Sequence, residues 1–181
     1  KAILGYEYDE VENTRETFER LVYPDDLARV RASQDRFLPA GNHPFSIEFR
    51  MMHKHGGVRW IRSTGIQIRD TTGRLTRTLG FHTDISARKE TEQEIRGALK
   101  NLEIAQTYHR LQQKEYARFQ RLERSLSATE IDQAKRNLLN SESQLTTRQN
   151  TYDMLLARKS RLQATLQLIE NQLEKAELNL A

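Results

Sequence analysis

The sequence predicts an α+β protein, a small antiparallel-sheet domain followed by a long antiparallel α-helical hairpin. Three observations lead there. Residues 45–81 alternate apolar and polar side chains with period two, broken by glycine turns. Residues 98–181 contain neither glycine nor proline, so nothing local interrupts a helix. In the middle of that stretch, Leu126-Ser127-Ala128-Thr129-Glu130-Ile131 reads as a helix start. Ser127 and Glu130 have the spacing of a capping box, and Leu126 and Ile131 that of a hydrophobic staple. A chain that stops one helix and starts another there folds back on itself.

Composition agrees with this division. Of 181 residues, 36% are hydrophobic and 30% charged, too polar for one globule but normal for a small domain plus long solvated helices. The net charge of +4 comes from Lys and Arg interleaved with Asp and Glu, the pattern of a solvated helix face and not of a nucleic-acid patch. There is no cysteine, which excludes disulfides, thiolate metal sites and cysteine nucleophiles. No apolar run approaches the ~20 residues that span a bilayer, and the first residues lack a signal-peptide core.

The elements follow in order. Residues 16–21 and 24–37 read as short helices, the second opening on Pro24-Asp25-Asp26 with acids in its first turn. Residues 45–51, 58–68 and 75–81 read as three strands of a meander, turned at Gly56-Gly57 and at Asp70-Thr71-Thr72-Gly73. From about Ser86 the pattern becomes helical. Ile95, Leu99, Leu102, Leu111, Phe119 and Leu122 form a drifting stripe, and beyond the cap a 3-4 spacing runs from Ile131 to Leu180. A seam of period 3.5 is that of a coiled coil, and a helix of roughly 80 Å needs a partner for its stripe. Ser141, Arg148 and Lys159 are polar positions in the seam, which weaken packing or set its register. The division is therefore 1–85, small sheet domain; 86–126, linker and ascending helix; 127–181, descending helix.

The first segment resembles a PAS domain of the PAS fold-3 type found in sensor kinases. The residues that carry this are Ile3-Leu4-Gly5-Tyr6, Val22-Tyr23-Pro24-Asp25-Asp26, Glu48-Phe49-Arg50, Gly56-Gly57-Val58-Arg59-Trp60, Arg69-Asp70-Thr71-Thr72-Gly73-Arg74 and Gly80-Phe81-His82-Thr83-Asp84-Ile85-Ser86. The family's first two strands would precede Lys1, so the module looks truncated. The resemblance implies signal transfer through Trp60, Asp84, Ile85 and Ser86, with Asp84 coupling sheet to outgoing helix. Independently of the family, a carboxylate at this strand-to-helix change accepts backbone N–H groups and favours a helix start. A photoactive flavin needs a cysteine that the chain lacks. Haem needs a histidine on a helix, whereas His43, His53, His55 and His82 fall in loops or strands. The expectation is no cofactor, or a small apolar ligand.

The second segment resembles the helical hairpin of bacterial periplasmic adaptors (HlyD-like membrane fusion proteins). It does so through residues 116–122, the turn at 126–134 and the descending residues 173–181. That resemblance implies a tip that docks on an outer-membrane channel through Arg118, Leu122 and either Ser127 or Thr129. A PAS module directly before such a hairpin, without the adaptor's flanking domains, points to an excised fragment or a chimera.

No catalytic signature is present: phosphoacceptor boxes, cyclase motifs, P-loops and dinucleotide fingerprints are all missing. His109-Arg110-Leu111 lacks the acidic and proline context of a phosphoacceptor, and His109 reads as a surface residue. Helix-end electrostatics account for Asp25-Asp26. The expected function is a non-enzymatic, cytoplasmic signal relay in which a PAS domain drives a coiled coil, with a protein partner or a homodimer and no nucleic acid. The alternative is a periplasmic efflux or type I secretion adaptor fragment.

Overall fold

The computed structural model describes residues 1–36, 43–70, 72, 75–122 and 127–178. After a 3₁₀ turn at Ala2–Leu4, the elements are α1 (Arg15–Leu21), α2 (Pro24–Arg36), β1 (His43–Met52), β2 (Val58–Arg69), β3 (Leu75–Asp84), α3 (Ser86–Arg121) and α4 (Ala128–Leu178). The mixed α+β class stands. The chain divides into two units, Lys1–Lys89 and Glu90–Ala181.

In the first unit, the Thr14 side chain accepts the Thr17 N–H at 3.2 Å and caps α1, one residue before the expected start. Pro24 occupies the first position of α2, where its missing N–H costs nothing. The strands form an antiparallel meander in the order β1-β2-β3. Gly56 and Gly57 turn β1 into β2 with φ of 87° and 81°, a left-handed backbone that favours glycine. The observed strands are longer than their alternation indicates, and β3 continues to Asp84. Thr71 and Gly73 of the second turn, and Phe37, lie outside the described residues.

One sheet face carries Phe49, Met51 and Ile61 into a core with Leu4, Val22 and Val30, against which Phe18, Leu21, Leu27 and Ile47 pack. The Tyr23 N–H donates to the Arg50 carbonyl at 2.8 Å and ties the α1–α2 joint to β1. On the opposite face, register sets Glu48 beside Arg62 and Arg50 beside Trp60.

In the second unit the capping box is formed. The Ser127 N–H donates to Glu130 Oε2 at 2.8 Å, and the Glu130 N–H donates to Ser127 Oγ at 3.3 Å. Leu126, the expected staple partner, lies outside the described residues, as does Leu180. The helices pair antiparallel: Glu94 binds Arg158 at 3.1 Å and His109 binds Ser141 at 2.9 Å, both pairs straddling residues 125–126 symmetrically. Leu102, Ala105 and Ala134 are buried between them. His109 is not the surface residue its sequence context implied. It is half-buried and bonded to Ser141, which is itself only 1% exposed.

Candidate functional site at the root of the third helix

The strand-to-helix junction is built from short-range hydrogen bonds. Asp84 ends β3, and its Oδ1 accepts the Ser86 N–H at 2.8 Å, the geometry of a carboxylate at a helix start. The Ile85 N–H donates to the Trp60 carbonyl at 2.8 Å. The Trp60 N–H donates to Ser86 Oγ at 3.0 Å. Ile85 and Ser86 are buried, at 1% and 7% exposure, so α3 leaves the sheet from a fixed point bonded to β2. Trp60, Asp84, Ile85 and Ser86 are thus brought together.

Around this junction lies a charged network that the sequence did not single out. Glu48, on β1, accepts from Arg62 of β2 at 3.1 Å and from Arg88 and Lys89 of α3 at 2.5 and 2.8 Å. One carboxylate therefore links two strands to the first turn of the outgoing helix. Burial alone would raise its pKa, but the hydrogen bonds from Lys89, Arg88 and Arg62 outweigh that and bring it down to about 2.

The network extends back to α2. Asp26 is 6% exposed and takes Arg50 in a fork, Nη2 to Oδ1 at 2.9 Å and Nε to Oδ2 at 3.1 Å, while the Arg50 N–H donates to Oδ2 at 2.8 Å. Arg50 holds the Asp26 carboxyl below the usual carboxylate range. Helix-end electrostatics therefore accounts for Asp26 only in part, because its main role is to hold β1. The Arg50 guanidinium lies 4.2 Å from the Tyr23 ring centroid and 5.7 Å from that of Trp60, and Lys89 Nζ lies 4.8 Å over Trp60. Trp60 is half-buried on this outer sheet face and takes no part in the apolar core. Alternating charges at 48, 50 and 62 were visible, but their meeting depends on strand register.

A cleft of about 180 Å³ opens on the other sheet face, bounded among others by Phe18, Leu21, Met51, His82, Asn13 and Thr17. The His82 ring sits 6.1 Å from both Phe18 and Phe49. Desolvation there lowers its pKa from the ordinary value, although part of the residue remains open to solvent. Among the described residues, no cluster of three or more His, Asp or Glu has the arrangement of a metal site. No helix among them is long and apolar enough to cross a membrane.

At the turn of the hairpin, Arg118 lies in the last turn of α3 with Leu122 just beyond it, and Ser127 precedes α4 with Thr129 in its first turn, all exposed. Leu122 is 47% exposed, and the Arg118 guanidinium lies 5.4 Å over the Phe119 ring. Ser127 Oγ is engaged with Glu130, donating to Oε2 at 2.8 Å, whereas Thr129 has no comparable capping role.

Residues 1–82 match the family model of the PAS fold. The chain is 34% identical over 92 residues to the methyl sulfide methyltransferase-associated sensor of Methanosarcina acetivorans, a match covering 51% of this chain but only 9% of that protein's length. Among solved structures it is similar to a sensory box histidine kinase/response regulator from Burkholderia thailandensis. Identity is 31% and the TM-score 0.48, over 57% of this chain and 76% of the other. The N-terminal domain of a diguanylate cyclase with PAS/PAC sensor from Marinobacter aquaeolei gives 25% and 0.41, over 49% and 79%.

Proposed function

We propose that this chain, with its PAS-fold N-terminal segment, is a non-catalytic sensory relay that passes a ligand- or partner-dependent change into α3 and the coiled coil it begins. The observation that supports this reading is the Glu48 carboxylate, shared by β2 and by Arg88 and Lys89 at the root of α3. A displacement of β1 against β2 must change these bonds, and they bear on the helix directly. Asp84, Ile85, Ser86 and Trp60 supply the fixed joint about which the change acts. A small, mainly apolar ligand in the cleft beside Phe18, Met51 and His82 is the signal this reading favours, and a cytoplasmic location with a protein partner or second copy goes with it.

The test is amide hydrogen exchange of the full chain with Glu48→Gln. Relay requires faster exchange to run beyond Lys89 along α3, on the order of tenfold for an opening made easier by ~1.4 kcal/mol. A change confined to the strands would sink the proposal.

A second reading has its own support in the exposed tip. There the hairpin docks on an outer-membrane channel through Arg118, Leu122 and Thr129 or Ser127, in the periplasm. Arg118→Ala and Leu122→Ala abolish partner binding under that reading and leave exchange in α3 unchanged. Under the relay reading both are silent.

A further inference from the structure

We propose that His109 and Ser141 form a register lock in the hairpin, a buried polar pair that selects one alignment of α3 on α4 from a seam that otherwise permits several. This concerns the hairpin alone and holds whether or not a signal enters α3.

The geometry of the pair is closed. Ser141 Oγ donates to the Leu138 carbonyl at 2.6 Å, which leaves an oxygen lone pair for His109 Nδ1, 2.9 Å away on the facing helix. Nδ1 therefore carries the proton, and Nε2 is free to accept from Gln113 Nε2 at 2.8 Å. The neutral ring meets both partners in one tautomer. Ser141 is 1% exposed, so its hydroxyl has no water to turn to if His109 moves away.

The neighbouring alignments lose this pairing. The seam repeats every seven residues, so the nearest competitors displace α4 by one heptad. In one of them His109 stands opposite Ala134 and Ser141 opposite Leu102, so neither side chain finds a partner on the facing helix and each keeps only the bond within its own. In the other His109 stands opposite Arg148 and Ser141 opposite Tyr116, where the Nδ1–H that binds Ser141 would meet a guanidinium donor unless the ring changed tautomer. The turn with its Ser127–Glu130 cap also opposes such a shift, but the remaining contacts along the seam discriminate weakly. Leu102, Ala105 and Ala134 bury similar apolar surface against any apolar neighbour. The Glu94–Arg158 pair is about half exposed on both sides, and such pairs contribute little. A single buried polar residue in a helical seam is the best-attested means of fixing register.

The cysteine-free chain permits a direct test. Nitroxides are attached to the full chain through Lys100→Cys and Ala164→Cys, both exposed and offset along the hairpin axis. The distance distribution is then compared with and without His109→Leu/Ser141→Ala, which removes both polar partners together. The expected result is one narrow population in the parent and, in the double variant, a second one displaced by about 10 Å, seven residues at 1.5 Å. A double variant with the parent's single narrow distribution overturns the proposal. Should that variant not fold, Ser141→Ala alone decides on the same terms: a broadened or split distribution supports the lock, and an unchanged one overturns it.

Discussion

Glu48 ties the first unit together, because three cations from two elements converge on its two oxygens. Glu48→Gln keeps the shape and removes the charge, leaving Arg62, Arg88 and Lys89 to repel one another. The expected loss is about 1–3 kcal/mol in thermal or urea unfolding. The pH dependence has a definite sign. The folded pKa, about 2, lies below that of the unfolded carboxyl, so the stabilisation is complete above the unfolded value of 4.5 and is lost as pH falls toward 2. Asp26→Asn removes the fork that holds Arg50 and leaves the guanidinium only Asp25, 3.7 Å away, so a loss of about 1–3 kcal/mol is expected. Gly80 sets a steric limit. A Cβ there would overlap the Thr64 carbonyl oxygen and stand 2.9 Å from Gly65 Cα, so Gly80→Ala should push β3 from β2 and lower Tm by several degrees.

At the scale of elements, α4 depends on where it begins. Its 51 residues would extend about 75 Å, and a helix of that length is held by its partner and by its cap. Ser127→Ala removes the side-chain acceptor for the Glu130 N–H and should cost about 1 kcal/mol. The measurement that checks it is hydrogen exchange over residues 128–134, where protection should fall while the seam near Ser141 keeps its own. Glu130 has a lowered pKa because the Ser127 backbone N–H and hydroxyl bond its carboxylate, so the cap should weaken on acidification below about pH 4.5. α3 differs in being anchored at its first turn by bonds to β2 and Glu48. Its start therefore reports the state of the sheet, and its later turns report the hairpin.

For the whole molecule, the two units should part company in acid. Asp26 and Glu48, both with lowered pKa values and both set between elements, belong to the first unit. The carboxylate of Glu130 serves only a helix end. The single tryptophan, Trp60, lies in the acid-sensitive network, whereas most helical residues belong to α3 and α4. As pH falls from 4.5 toward 2, Trp60 fluorescence should change before the far-ultraviolet helical signal. Coincident transitions would mean that the hairpin draws its stability from the first unit.

The sequence by itself determined the class and order of the elements, because the features that set them are local. Period-two alternation made the strands, Gly56-Gly57 made the first hairpin turn, Pro24 sits where a helix starts, and Ser127 with Glu130 reads as a cap over four residues. Asp84 was legible for the same reason, since its partner is two residues away. What only the tertiary structure decided are the meetings of distant residues. Glu48 and Lys89, Asp26 and Arg50, and His109 and Ser141 are separated by 24 to 41 positions, and each looks like an ordinary polar residue on a solvated face until register places its partner opposite. Cross-strand pairing likewise puts Trp60 beside Arg50 on the outer face. A period of two or of 3.5 reveals that a residue lies on a face, but not what that face meets. The meeting is set by strand register and helix alignment, which are sums of many weak contacts along the whole element.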